Sequence, residues 1–138
     1  MGFRYPNLAM RILENIRCVP PPEHLAHKGP CWLWKLSRCQ KGRGYGRITI
    51  RIGGKPFGFR VHSIAYELFT GKEVPQDETL DHLCFRKHCC NPQHLEQVSR
   101  SGNSWRYHRR QELTQRLLRE GLRRLRNATD KIVERAAA

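Results

Sequence analysis

The chain has 138 residues, with 26 basic and 12 acidic side chains, a net charge of +14 and a hydrophobic share of 38%. That length fits one domain plus an extension, and the modest apolar share implies a small core that gains from a staple such as a metal, a disulfide or a partner. The charge excess points to a polyanion, nucleic acid before acidic membrane, and no run approaches the roughly 18 apolar residues of a membrane span.

Met1-Gly2-Phe3-Arg4-Tyr5-Pro6 is followed by no apolar signal segment and no small-residue cleavage site, and Pro6 spoils a myristoylation motif. The expected setting is a reducing, cytoplasmic one, not a secreted one. There the six cysteines read as metal ligands more readily than as disulfides. Asn127-Ala128-Thr129 fits a glycosylation sequon, which without a secretory route carries no weight.

In chain order, residues 7–18 read as a short helix. Leu8, Ile12 and Ile16 recur every fourth residue, Asn7 caps the start and Pro20-Pro21-Pro22 ends it. Packing on the domain edge is the simpler use of its apolar face; a dimer contact is the sharper one. His24 and His27 lie in a polar link before Gly29-Pro30 and read as solvated. Cys31-Trp32-Leu33-Trp34 reads as a buried strand or turn, with Cys31 either a core thiol or a zinc ligand. Cys39 falls in the basic glycine loop around residues 37–44 and is expected at the surface.

A hairpin follows. Ile48, Ile50 and Ile52 alternate with Arg47, Thr49 and Arg51, Gly53-Gly54 makes the turn, and Phe57, Phe59 and Val61 alternate on the return. One face is expected in the core. The other carries Arg47, Arg51 and Arg60, either as a solvated face or as a ribbon for a DNA groove. Residues 62–70 read as a helix with Ile64, Ala65, Leu68 and Phe69 inward, Gly71 closing it and His62 structural. Thr79-Leu80-Asp81-His82 and Leu95-Glu96-Gln97-Val98 read as short strands, and Ser99 or Ser101 as the cap of a helix that includes Asn103.

From Trp105 the pattern is helical and basic. Leu113, Leu117, Leu118, Leu122 and Leu125 form one stripe, and Arg116, Arg119, Arg123 and Arg126 another. Residues 105–135 hold ten basic and four acidic side chains. A helix that tracks phosphates is favoured over a solvated helix packed on the core. Gly121 marks a candidate bend.

The densest chemistry lies in Asp81-His82-Leu83-Cys84-Phe85-Arg86-Lys87-His88-Cys89-Cys90-Asn91-Pro92-Gln93-His94-Leu95. Cys84, Cys89 and His94 sit five apart, a spacing that lets one loop bring all three onto one ion. Cys31 is the preferred fourth ligand, with Cys39 competing for that place and Cys90 for that of Cys89. Four protein ligands leave no open position, so such a zinc is structural. The plainer alternative is a set of buried thiols with no metal.

The second chemistry is hydrolytic. Asp81 and His82 are adjacent in a strand and point to opposite sides, so one can hold a cation while the other faces water. Histidine suits proton abstraction near neutral pH. Oxygen donors from Asp81 and Asn103 suit magnesium or manganese, and Asn91 can fix the His82 ring by accepting its other N–H.

The pattern His82-x-Cys84-x4-Cys89-x-Asn91-Pro92-x-His94-Leu95, followed by Asn103, resembles the HNH endonucleases, also called His-Me finger or ββα-metal nucleases. It is closest to the zinc-stabilised branch of His-Cys box homing endonucleases and small phage HNH proteins. Cys31-Trp32-Leu33-Trp34, Gly44-Tyr45-Gly46-Arg47-Ile48 and Val61-His62 extend the likeness, which spans residues 31–103. The resemblance implies an α+β fold: a ββα-metal core with structural zinc, an upstream hairpin and a basic C-terminal helix. It implies His82 as general base, Asn91 orienting it, and Asn103 with Asp81 on the catalytic cation, although the His-Cys box branch lacks a carboxylate at that place. Cys31, Cys84, Cys89 and His94 are implied as zinc ligands; in other HNH enzymes the position of His94 binds the catalytic metal. Arg47 is implied at the scissile phosphate or the cleaved product.

The implied reaction is phosphodiester hydrolysis in double-stranded DNA, leaving 5′-phosphate and 3′-hydroxyl ends, by a monomer or a homodimer. A zinc-stabilised DNA-binding regulator without chemistry and a zinc-held protein-interaction module are the competing readings. The expected organisation is an N-terminal helix and link over 1–28, the endonuclease domain over 29–108 and a helical extension over 109–138, with Arg47, Arg51, Arg60, Arg116, Arg119 and Arg123 toward DNA.

Overall fold

The structure, a computed structural model, describes residues 7–39 and 44–138. The basic glycine loop and the extreme N-terminus therefore lie partly or wholly outside the described residues. The chain divides into two compact units, residues 1–99 and 100–138. The elements in order are α1 (Leu8–Glu14), β1 (Ile16–Val19), β2 (Cys31–Trp34), β3 (Arg47–Ile52), β4 (Lys55–Arg60), α2 (Val61–Thr70), β5 (Glu78–His82), β6 (Leu95–Ser99) and α3 (Arg100–Ala137), with short 3-10 turns at Glu23–Lys28 and Pro92–His94. The architecture is α+β. The strands form three two-stranded antiparallel sheets, β1–β2, β3–β4 and β5–β6.

The first helix is shorter than its fourfold period suggests. It ends at Glu14, and Ile16 opens β1, which pairs Ile16 with Trp34 and Val19 with Cys31. Leu8 and Ile12 are buried as expected. Asn7 stands at the N-cap position without a side-chain capping bond. The period ran on because β1 continues the same apolar surface: Ile16 packs against the cluster that holds Leu8 and Ile12. The Pro20-Pro21-Pro22 run then cannot supply ladder N–H groups and turns the chain away.

The hairpin forms in the expected register, with Ile48 opposite Phe59, Ile50 opposite Phe57 and Ile52 opposite Lys55. Both turn glycines have positive φ, 56° and 78°, the backbone that a two-residue turn matched to strand twist requires. Only its base is buried. Ile48 and Ile50 join the core, while Ile52 and Phe57 near the tip are 41% and 45% exposed. The apolar face is thus longer than the core that meets it. Val61 is not a strand residue; it starts α2 and is fully buried.

In α2 the inward face is Val61, His62, Ala65 and Tyr66. Ile64 and Leu68 are partly buried against the core. Phe69, expected inside, is 39% exposed and meets Trp32 edge to face at 5.7 Å. Gly71 closes the helix in the left-handed region at φ 70° and donates its N–H to Glu67, as a C-terminal glycine does.

The main core gathers Leu8, Ile12, Trp34, Ile48, Ile50, Val61, Ala65 and Cys90. A second cluster holds Leu25, Cys31, Leu33, Cys84 and Cys89, and a third holds Tyr66, Leu80 and Leu95. Gly46 sits where strand β3 meets the first of these. A Cβ there would lie 2.6 Å from Val61 Cγ1 and 2.9 Å from Trp34 Cδ1, both stiff core groups. At Gly58 the crowding comes instead from the Arg47 guanidinium, which lies across the opposing strand. The third β-pair leads directly into α3, whose 38 residues run through Gly121 within one helix and include no buried residue.

Gly46→Ala is expected to destabilise the fold by about 1–3 kcal/mol, as overpacking of a filled core does. Thermal melting checks this: a Tm equal to that of the parent chain would show that the close approach is not needed.

Candidate metal centre and histidine site

Strand β2 is the element that builds the site. Its outer edge pairs with the loop after β5: the Trp34 N–H donates to the His88 carbonyl at 3.0 Å, the Cys90 N–H to the Trp32 carbonyl at 2.9 Å, and Leu33 bridges to Cys89. This docking carries Cys31, at the start of β2, to residues more than fifty positions later. Cys31, Cys84, Cys89 and His94 offer ligand atoms that all lie within 4.8 Å of one another, and all four residues are buried. His94 Nδ1 is 3.4 Å from Cys31 Sγ and 3.7 Å from Cys89 Sγ. A tetrahedral zinc with bonds of about 2.0–2.3 Å sets its ligand atoms about 3.6 Å apart, so the donor set fits the ion.

The far side of His94 is also set for a ligand. Its Nε2 lies 3.1 Å from the Gly29 carbonyl, which accepts an N–H and leaves the Nδ1 lone pair toward the sulfurs. Ligand histidines hold their other nitrogen in this way. Electrostatics within the group are uneven. A hydrogen bond from the Cys89 S–H holds the Cys84 thiol well below the usual thiol range, against the opposing effect of burial. That same bond, then burial, pushes Cys89 up, and burial pushes Cys31 up. Cys90 is outside the group: its thiol points to the Trp32 carbonyl at 3.5 Å and burial pushes it up to about 12. Cys39 is outside it too, in a partly exposed position beyond β2 where its N–H donates to Tyr45.

Asp81 and His82 end β5, paired with Glu96 and Leu95 of β6. Both are buried, at 4% and 6% exposure. His82 Nε2 is 3.1 Å from the Cys89 carbonyl. The ring therefore donates from Nε2, and in the neutral form Nδ1 carries the lone pair. Burial is the main cause that holds this imidazole below its ordinary range, against raising effects from Cys84, the Cys89 carbonyl and Asp81.

The residue expected to hold His82 was Asn91, and here the geometry differs. The Asn91 amide donates to the Pro30 carbonyl at 2.7 Å, and its oxygen accepts the Gln93 N–H at 3.0 Å. Both ends of the carboxamide are spent on shaping the chain around His94. The carbonyl of Cys89 takes the role on His82, because the loop that closes the sulfur cluster brings its backbone over the ring.

Two rings that sequence spacing does not tie to His82 surround it. His62, from the start of α2, lies 4.7 Å away between centroids at 68°, and Tyr45 lies 5.8 Å away. Tyr45 and His62 are themselves 5.3 Å apart. The Arg60 guanidinium stands 5.0 Å from the centre of the Tyr45 ring and the Lys87 ammonium 5.8 Å from it, within cation–π range. His62 was legible only as a histidine at a helix start, and Tyr45 only as part of Gly44-Tyr45-Gly46; neither spacing points at residue 82.

The remaining expected residues are distributed. Arg47 and Arg51 lie on exposed positions of β3, and Arg60 ends β4, also exposed. Asn103 is in the first turn of α3, partly exposed. Arg116, Arg119 and Arg123 are exposed along the same helix, and Arg116 pairs with Glu120 at 3.4 Å. Among the described residues no helix is long and apolar enough to cross a membrane.

A search of curated proteins and a search of solved structures each returned no match. A family model described as HNH endonuclease matches residues 59–105, the span that contains α2, the β5–β6 pair, the cysteine loop and Asn103. Over those residues, with three of the four clustered ligand residues and the buried strand-end histidine inside the match, the chain is similar to the HNH endonuclease family.

Proposed function

We propose that the chain is a metal-dependent DNA endonuclease or nickase, with His82 activating water and Cys31, Cys84, Cys89 and His94 holding a structural zinc. One observation supports this most: His82 ends a strand with Nε2 committed to the Cys89 carbonyl, which leaves Nδ1 to take a proton. Burial favours the neutral form of that ring, the form a general base needs. The zinc would cross-link β2 to the loop and so fix the carbonyl that orients the base.

The attacking water oxygen forms a bond to phosphorus while its proton passes to His82 Nδ1. The bond from phosphorus to the 3′ oxygen breaks, its electron pair leaves with that oxygen, and the oxygen takes a proton from solvent. A 5′-phosphate and a 3′-hydroxyl result. Asp81 and Asn103 each supply an oxygen donor that suits magnesium or manganese. A divalent cation held by such donors would stabilise charge on the phosphate and on the departing oxygen. Arg47, Arg51 and Arg60 on the hairpin, with Arg116, Arg119 and Arg123 on α3, bind the phosphate backbone of double-stranded DNA. The net charge of +14 steers the encounter.

His82→Ala is expected to abolish nicking of a supercoiled plasmid with magnesium or manganese, while Tm and DNA affinity stay near those of the parent chain. Full cleavage by the variant would remove His82 from the mechanism. Salt-dependent DNA binding by the parent chain without any nicking would instead make it a DNA-binding module. The purified protein is expected to carry about one zinc per chain in a closed four-ligand site. Cys84→Ala or prolonged chelation lowers both the zinc content and the Tm; unchanged values for both would refute the ligand role. Replacing Arg116, Arg119 and Arg123 by Gln weakens DNA binding across sequences. It reduces the slope of log affinity against log salt by about 0.9 for each phosphate that is no longer neutralised, and an unchanged slope would place the DNA elsewhere.

A further inference from the structure

His62 is a polar side chain with no part in the reaction described above. It is 3% exposed in the first turn of α2, and its Nδ1 is buried with no hydrogen-bond partner among the described residues. An apolar residue at that position would avoid the penalty of a buried, unmatched nitrogen. Such a group in a well-satisfied fold marks a missing water, an ion or a catalytic role.

Its surroundings narrow the choice. His62, His82 and Tyr45 each meet the other two rings, at 4.7, 5.3 and 5.8 Å. Burial, then His82 and Arg60, hold the His62 imidazole down to about 3, so it stays neutral and its ring can accept a hydrogen bond. The two histidine rings meet edge to face, so the unpartnered nitrogen of His62 belongs to a ring in direct contact with that of His82. Arg60 and Lys87 flank the third ring, Tyr45, so an arriving phosphate meets two cations beside the same cluster.

We propose that His62 is a second histidine of the reaction centre, whose Nδ1 holds the attacking water beside His82. The inference rests on the nuclease reading and adds a residue to it. The water donates one proton to His62 Nδ1, a bond that persists through the step. Its other proton passes to His82, and its lone pair forms the bond to phosphorus as the bond to the 3′ oxygen breaks and that oxygen is protonated from solvent. Tyr45 is the partly exposed ring of the three, so solvent and substrate meet the cluster on its side.

The test compares His62→Phe, which keeps a ring and removes both nitrogens, with His62→Asn, which restores a polar side chain. With plasmid and magnesium, His62→Phe is expected to lose about 100-fold in kcat, the scale of a positioned proton-transfer group. Its Tm should be equal or higher and its Kd for a short duplex without magnesium unchanged. His62→Asn recovers part of the lost rate. A crystal structure of the parent chain on that duplex, grown without magnesium, should show an ordered water within about 3.2 Å of His62 Nδ1; this arm decides the matter if the Phe variant does not fold. Parental kcat in His62→Phe, or a dry Nδ1 in the complex, overturns the proposal while leaving His82 as base. A parent chain that never nicks overturns the nuclease reading itself, and the role of His62 with it.

Discussion

Cys89 is the residue on which the two chemistries meet. Its sulfur belongs to the group formed with Cys31, Cys84 and His94, and its carbonyl accepts the His82 ring nitrogen. A metal held by the sulfur would therefore fix the backbone that aims the imidazole. The link runs through one residue, so little flexibility separates the sulfur cluster from the imidazole. Antiparallel pairing of β2 with the same loop supplies the backbone ladder that makes the arrangement rigid.

The remaining polar groups of the site follow from this constraint. Bringing His94 to the sulfurs leaves its second nitrogen facing Gly29, and the chain there is held by Asn91 through Pro30 and Gln93. Asn91 thus acts on the ligand side of the loop and reaches His82 only through the backbone they share. At the strand end, His62 and Tyr45 pack the His82 ring. That packing removes it from water, and loss of hydration disfavours the imidazolium. A buried neutral imidazole and a buried sulfur cluster both need a dry interior, which explains why a chain with few apolar residues places several polar side chains in its core.

The positive charge lies on elements with little burial. The hairpin buries its base and exposes its tip, and α3 exposes both its arginines and its leucines, with Leu113, Leu117, Leu118, Leu122 and Leu125 each more than half exposed. A helix of this length without buried residues draws on intrinsic propensity and on pairs such as Arg116–Glu120, each worth only about 0.2–0.5 kcal/mol. Its leucine stripe is a face that periodicity reveals and that the described residues of its own unit leave open.

Local signals were enough for most elements. Alternation set β3 and β4, Gly53-Gly54 set their turn, Gly71 closed α2, and the spacing of Cys84, Cys89 and His94 announced the cluster that could hold a metal. Those are short-range matters of backbone freedom and side-chain period, which a linear chain displays directly. The sequence also carried the family likeness, through residues close together in the chain. It did not separate α1 from β1, because a helix and a strand that pack on one core can share an apolar rhythm. It did not decide Cys31 over Cys39, the partner of the His82 N–H, or the place of His62 and Tyr45 around that ring. Each of these depends on the meeting of segments tens of residues apart, and only the docking of β2 and α2 against the cysteine loop fixes which groups come together.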